Sequence, residues 1–227
     1  MPSFDIVKQW ANPGTYRTEA IRGMFTLEQA NLSKHFSGNI PIESESWQVG
    51  IIVGRSGTGK TSIAKELFPE AYVSNLHYSE ASVLDDFDKS LSVQEITQAL
   101  SSVGFASPPD WLKSYEQLSQ GEKMRVDIAR AITMNKDLIV FDEFTSVIDR
   151  EIAKIACAAI SKAIRRSKKK FIAVTCHYDI IDWLEPDWVF CTDNMEFLKK
   201  NGRDLQSQSV STSQALTRGP CLGTFTI

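Results

Sequence analysis

Val49-Gly50-Ile51-Ile52-Val53-Gly54-Arg55-Ser56-Gly57-Thr58-Gly59-Lys60-Thr61 is the stretch from which the rest of the chain can be read. Its apolar, largely β-branched run from Val49 to Val53 suits a strand buried on both faces, and Ile63-Ala64-Lys65-Glu66-Leu67-Phe68 beyond it suits a helix. Between the two, every fixed position of G-x-x-x-x-G-K-[ST] is filled. Gly54, Gly57 and Gly59 let the backbone curl until several N–H groups point inward at one anion, with no side chain in the way. The following helix adds the positive end of its dipole. Lys60 is placed to reach the β- and γ-phosphates, and the Thr61 hydroxyl to ligate Mg²⁺. The stretch reads as a phosphate-binding loop, with Gly54, Arg55, Ser56, Gly57, Thr58, Gly59, Lys60, Thr61 and Ser62 as its nucleotide-binding residues.

Further along, Leu138-Ile139-Val140-Phe141 is a second buried-strand run, and it ends in Asp142-Glu143. Ligands of parallel sheets collect outside the carboxyl ends of the strands, so these carboxylates belong on the same edge as the phosphate loop. Asp142 is expected to hold Mg²⁺ through water and Glu143 to polarise the attacking water. Ser146-Val147-Ile148-Asp149 then leads into a helix from about 150 to 166, with Ile152, Ile155, Ala156, Ala159, Ile160 and Ala163 on its inner face. A third buried strand, residues 171–176, is closed by His177, and strands at 188–191 and 196–198 flank an Asp193-Asn194 turn. Buried strands alternating with helices argue for a mostly parallel, doubly wound α/β core.

Ahead of the loop, Phe4 to Lys8 and Thr18 to Leu27 read as strands of an antiparallel ribbon around an Asn12-Pro13-Gly14 turn, with Trp10 and Tyr16 available either to stack on a base or to fill the core. After a short strand at Tyr72-Val73, Ser92-Val93-Gln94-Glu95 forms a capping box for a helix that carries Ile96, Ala99, Leu100 and Val103 and ends at Gly104. Pro108-Pro109 act as a stop, and Trp111-Leu112 start a short turn of helix. Leu118-Ser119-Gln120-Gly121-Glu122 opens the next helix; Met124, Ile128, Ala131 and Ile132 share one face, with Arg125, Asp127 and Arg130 off it. Beyond Gly202 the chain is rich in serine, threonine and glutamine, which reads as a mobile tail.

The 227 residues, 42% hydrophobic and 23% charged, suffice for one sizeable core. A net charge of -3 excludes a globally basic nucleic-acid binder. No run approaches the roughly 18 apolar residues of a membrane span, and the N-terminus lacks signal-peptide character, so a cytoplasmic location is expected. Cys157, Cys176, Cys191 and Cys221 stand far apart without a C-x-x-C pair, which argues for packing rather than zinc or disulfides.

The order of these motifs resembles the ATP-binding cassette (ABC) ATPases. Residues 54–61 are similar to the Walker A loop of that family, Leu118 to Glu122 to its signature motif, Asp142-Glu143 to Walker B, Ser146 to Asp149 to the D-loop and His177 to the switch histidine. The resemblance covers about residues 1–200, with a short helical insertion at about 80–135 carrying the signature and a polar tail at 201–227. It implies a phosphate-loop NTPase with a mostly parallel sheet and an N-terminal antiparallel part, which binds ATP and Mg²⁺ and hydrolyses the ATP. It further implies a head-to-tail homodimer that sandwiches the nucleotide. Ser119, Gly121 and Glu122 then face the γ-phosphate of the other copy, Asp149 links the two sites, and Lys60, Glu143 and His177 serve catalysis. The stretch from Gly121 to Trp188 further resembles a smaller group of phage and prokaryotic ABC-type ATPases, some fused to an acetyltransferase.

The departures bear on what the ATPase drives. Glu122 stands where transporter subunits usually carry glutamine, Gln120 replaces a glycine, and no glutamine fills the Q-loop position, for which Asp85 or Asp86 is the candidate. These features, with the basic run Arg165, Arg166, Lys168, Lys169 and Lys170, favour a non-transport ATPase that acts on nucleic acid or a protein assembly. The alternatives are the ATPase subunit of a membrane transporter and a nucleotide-gated dimerisation clamp.

Overall fold

The computed structural model describes residues 2–9, 14–26, 33–42, 46–74 and 76–199, and its strands form two sheets. β1 (Ser3–Gln9) and β2 (Ser33–Asn39) pair antiparallel. The larger sheet runs in the order β4 (Tyr72–Val73), β5 (Leu138–Phe141), β6 (Lys170–Thr175), β3 (Val49–Val53), β7 (Trp188–Cys191), β8 (Glu196–Lys199), and only β8 is antiparallel. This is the mostly parallel α/β architecture, with an antiparallel N-terminal part, that the sequence implies.

The helices are α1 (Tyr16–Phe25), which buries no residue, α2 (Lys60–Leu67), α3 (Val93–Ser102), α4 (Pro108–Trp111), α5 (Gln120–Thr133), α6 (Arg150–Arg166) and α7 (Ile180–Leu184); α2 packs on one face of the larger sheet and α3, α5 and α6 on the other. Successive side chains of a strand point to opposite faces, so β3 feeds two cores. Val49, Ile51 and Val53 pack with Leu100 of α3, Ile128 of α5 and Ile160 of α6. Ile52 packs on the other side with Ile63 and Ala64 of α2 and with Phe4 and Phe36 of the ribbon. Full burial of each such isoleucine or phenylalanine is worth about 1.5–3 kcal/mol. The five residues of β3 are all buried, as expected of a central parallel strand.

Four expectations need correction. The segment read as a strand at Thr18 to Leu27 is helical over Tyr16–Phe25. The Thr15 hydroxyl caps it by accepting from the Thr18 N–H, Glu19 sits in its first turn, and this local capping outweighs the β-branched pattern. The second ribbon strand is instead β2, and Trp10 and the Asn12-Pro13 part of the turn lie outside the described residues, as does the tail from 200 onward. Pro108-Pro109 do not merely stop a helix but begin α4, since proline is compatible with the first turn. The inner face of α6 is Ala153, Ala156, Cys157, Ile160 and Ile164; Ile152 and Ile155, read as inner, are exposed. Asp127, placed off the buried face of α5, accepts from the stacked Tyr78 and Tyr115 hydroxyls at 2.6 and 2.9 Å.

The basic run is largely engaged within the chain. Arg165 pairs with Asp187, the Lys169 ammonium donates to the Met134 and Lys136 carbonyls, and Lys170 lies over the Trp47 ring. Asp187 also accepts the N–H groups of Gln48 and Val49 at 2.8 and 3.0 Å, which secures the start of β3. Burial pushes its carboxyl up, but the Val49 and Gln48 N–H groups and Arg165 outweigh it and hold it below its ordinary value. A depressed carboxyl stabilises the fold above the unfolded-state value of about 3.9 and ceases to do so as pH falls through the lower folded value. Asp187→Ala is therefore expected to cost about 2 kcal/mol near neutral pH, read as a lower Tm, with the difference from the parent shrinking below about pH 4.

Candidate nucleotide-binding site

Strand register brings the motifs together. Val53 of β3 stands opposite Thr175 of β6 and Cys191 of β7, and Phe141 of β5 opposite Ala173. Gly54, Asp142, His177 and Thr192 therefore all leave the sheet at one carboxyl edge, where parallel sheets bind ligands.

The phosphate loop is closed by its own groups. Lys60 is buried to 8% exposure, and its ammonium donates to the Arg55 carbonyl at 2.8 Å. The Thr58 hydroxyl also donates to that carbonyl and lies 2.6 Å from the Thr192 hydroxyl. Gly59 caps α2 in the left-handed region at φ 91°, and a Cβ there would stand 2.9 Å from the Phe36 ring of β2. Only glycine fits both conditions. No side chain caps α2, so its first N–H groups remain directed at the loop, the arrangement that binds phosphate. Thr61 and Ser62 in its first turn are half-buried, whereas Arg55, Ser56 and Gly57 are exposed.

Asp193, just past β7, accepts from the backbone and Nε of Arg55, both at 3.2 Å, and from the Tyr178 hydroxyl. Burial pushes its carboxyl up, but Tyr178 and the Arg55 groups hold it below its ordinary value and keep it ionised. The loop is thus tied to the residue after His177.

The acidic end of β5 is a strained turn. Glu143 (φ 51°) and Thr145 (φ 64°) both occupy the left-handed region, at a cost of about 1–3 kcal/mol each. Fully buried Phe144 holds the turn through its N–H to the Val174 carbonyl at 2.9 Å. The Asp142 carboxylate accepts the Tyr72 hydroxyl at 2.5 Å and the Glu143 N–H at 2.9 Å. Glu143 is exposed, and its carboxylate accepts the Ser146 hydroxyl at 2.6 Å. Thr61 and Asp142 offer a hydroxyl and a carboxylate, hard oxygen donors of the kind Mg²⁺ takes.

His177 is half-buried beyond β6, its N–H donating to the Thr175 hydroxyl, which in turn donates to the Phe144 carbonyl. Burial and then the nearby Arg150 charge push its imidazole below the ordinary value, so it is neutral at physiological pH. Arg150, in the first turn of α6, pairs with Asp179, its Nε donating at 2.9 Å, and lies over the Trp183 ring. Asp149 caps α6 by accepting from the Glu151 N–H.

Ser119 and Glu122 form the reciprocal cap of α5: the Ser119 hydroxyl accepts from the Glu122 N–H, and the Glu122 carboxylate from the Ser119 N–H at 2.8 Å. Ser119 is exposed, and buried Gly121 leaves room for Ile152 of α6, whose methyl would lie 3.3 Å from any Cβ placed there. Of the Q-loop candidates, Asp86 uses one carboxylate oxygen to accept the N–H groups of Ser79 and Glu80, which closes a local turn. Tyr72, Arg150 and Asp193 are site residues that motif reading did not single out. Tyr72 had no spacing signal, but an acid directly after a buried strand, as Asp193 is, belongs by topology to the same edge.

Residues 65–146 match the family model described as "ABC transporter". A probable amino-acid ABC transporter ATP-binding protein of Haemophilus influenzae is 26% identical, over 57% of this chain and 70% of its own length. The energy-coupling factor transporter ATP-binding protein EcfA1 of Mycoplasmopsis synoviae is also 26% identical, over 61% of this chain and 66% of its own. The arginine transport ATP-binding protein ArtM of Bacillus subtilis is 38% identical, but the match spans only 39% of this chain and 36% of that one. Among solved structures, the dimeric structure of MJ0796, a bacterial ABC transporter cassette, superposes with a TM-score of 0.57 at 17% identity, over 74% of this chain and 93% of that one, which is a likeness of fold. Motif order, the fold and the family match over residues 65–146 agree, and in all three the chain is similar to the ABC-type ATPases.

Proposed function

We propose that the chain holds Mg-ATP on residues 54–62 and works as a head-to-tail homodimer, in which Ser119, Gly121 and Glu122 of one copy close over the nucleotide of the other. The observation that carries this reading is the shared carboxyl edge of β3, β5 and β6, past which the chain runs on to Lys60, to Asp142 and Glu143, and to His177. Mg²⁺, when bound, neutralises charge on the phosphate oxygens, and the oxygens of Thr61 and Asp142 are suited to hold it. Lys60 holds the β- and γ-phosphates, the exposed Glu143 carboxylate orients and polarises the attacking water, and neutral His177 braces the γ-phosphate. The uncovered signature end is consistent with a second copy: Ser119 is exposed at the N-terminus of a 14-residue helix, and Val147, Ile152 and Ile155 of the neighbouring segment are exposed apolar side chains. Asp149 lies beside them and links the two sites.

The relatives favour the transporter alternative over the non-transport role that the sequence departures suggested. All three are named as transporter ATP-binding proteins. Glu122 no longer separates the two readings, since its observed work is to accept the Ser119 N–H, which the carbonyl oxygen of a glutamine does equally. The basic run, mostly paired within the chain, gives little support to a nucleic-acid contact. Among the described residues no helix is long and apolar enough to cross a membrane; in the transporter reading a partner supplies the spanning part and this chain sits on its cytoplasmic side. Tagged Glu143→Gln chain, recovered with Mg-ATP from detergent-solubilised native membranes, is expected to bring down a multi-span membrane protein in near-equal amount. Recovery with nucleic acid or a soluble assembly alone contradicts the transport role.

A further inference from the structure

β4 is the edge strand of the larger sheet, and its Tyr72 pairs in register with Val140, two residues before Asp142. The Tyr72 hydroxyl donates to Asp142 Oδ2 at 2.5 Å, while the other oxygen of that carboxylate accepts the Glu143 N–H at 2.9 Å. The carboxylate is therefore held at both oxygens, by two different elements. The Tyr72 ring packs against the second core, and the Lys65 ammonium lies 5.0 Å from its centroid. Lys65 follows Thr61 by one turn of α2, so the two share a helix face. The Tyr72 side chain thus spans from the helix that carries Thr61 to the strand end that carries Asp142, the two residues whose oxygens suit Mg²⁺.

We propose that Tyr72 is a positioning residue for the metal carboxylate: its hydroxyl fixes the orientation of Asp142, so that the arrangement needed by Mg²⁺ exists before the nucleotide arrives. The proposal rests on the reading of Asp142 as that carboxylate. Groups behind a ligand fix its rotamer and raise metal affinity because the ordering cost is met in the folded chain rather than on binding.

Tyr72→Phe deletes the hydroxyl and keeps the ring under Lys65. In complex with a non-hydrolysable ATP analogue, Mn²⁺ binding followed by electron paramagnetic resonance should weaken about ten- to a hundredfold in the variant, the range of one hydrogen bond to a charged group behind a metal ligand. Affinity for a fluorescent ATP in EDTA and the Tm should stay at parent values, and in an Asp142→Asn background the Tyr72 change should add nothing. Half-saturation of the ATPase in Mg²⁺ should rise by the same factor, with kcat at saturating Mg²⁺ retained. Unchanged Mn²⁺ affinity, or a fall in kcat without a shift in metal dependence, overturns the positioning role. A parent chain that binds the analogue but no Mn²⁺ overturns the assignment of Asp142 itself, and the role of Tyr72 with it.

Discussion

Lys60→Ala is expected to lower ATP affinity by about a hundredfold or more, the scale of about 3 kcal/mol from charge-assisted hydrogen bonds to phosphate in a partly desolvated loop. Lys60 is the one buried lysine among the described residues, and its ammonium is held at 2.8 Å by the Arg55 carbonyl on the rim of the loop. A triphosphate offers that ammonium stronger acceptors than a carbonyl, so binding exchanges a neutral partner for charged ones. The fold has little to lose, because alanine is a good helix former at the first position of α2 and Gly59 supplies the turn. Titration of a fluorescent ATP against parent and variant, with Tm as the control for folding, measures the difference. Equal affinities at equal Tm overturn the assignment of residues 54–62 as the nucleotide loop.

How much of this was legible in the sequence depends on the range of the interaction. The buried strands β3, β5 and β6 could be read because a central parallel strand must be apolar on both faces, and the caps of α3 and α5 because serine and glutamate three apart satisfy two orphan N–H groups locally. Motif spacing then singled out Lys60, the acid after a buried strand singled out Asp142, and the family resemblance singled out His177; strand register brings the strands they follow to one edge. The reading failed where a weak local pattern met a competing signal: Thr18 and Ile21 look like strand residues, but Thr15 and Glu19 start a helix. For α6 the helix itself was right and its rotation wrong. Six apolar positions fit an inner stripe, and only packing decides that Cys157 and Ile164 go inside while Ile152 and Ile155 stay out. Tyr72 and Arg150 were out of reach for a different reason: each acts on a partner 70 or 29 positions away, and no local pattern encodes such pairs, whereas Asp193 could have been placed by its position just past a buried strand.

The departures from the family pattern were legible, but the contacts these residues make do not discriminate between a transport and a non-transport role. Glu122 and the missing Q-loop glutamine pointed away from transport, yet Glu122 serves as a cap and Asp86 as a turn-closing acceptor. Both roles are local and follow from backbone N–H groups that need partners. A residue type at a motif position thus says less about the load of the motor than about the loop it sits in.

Glu143→Gln carries the central claim, that two copies of this chain share each ATP. Glu143 is exposed at a strained turn and its carboxylate accepts the Ser146 hydroxyl, so glutamine can occupy its place without burial cost and can still accept that hydroxyl. What glutamine lacks is the basicity to polarise water, and removal of a general base slows turnover by about a hundred- to ten-thousandfold. Binding residues 54–62 are untouched, so ATP should enter, bridge to the Ser119 end of a second copy and stay. Measured by light scattering after size exclusion in saturating Mg-ATP, the variant is predicted to run at twice the 25.4 kDa mass of one chain and to return to that mass when ATP is withdrawn. A Glu143→Gln chain that binds ATP yet remains at the mass of one copy contradicts the shared site.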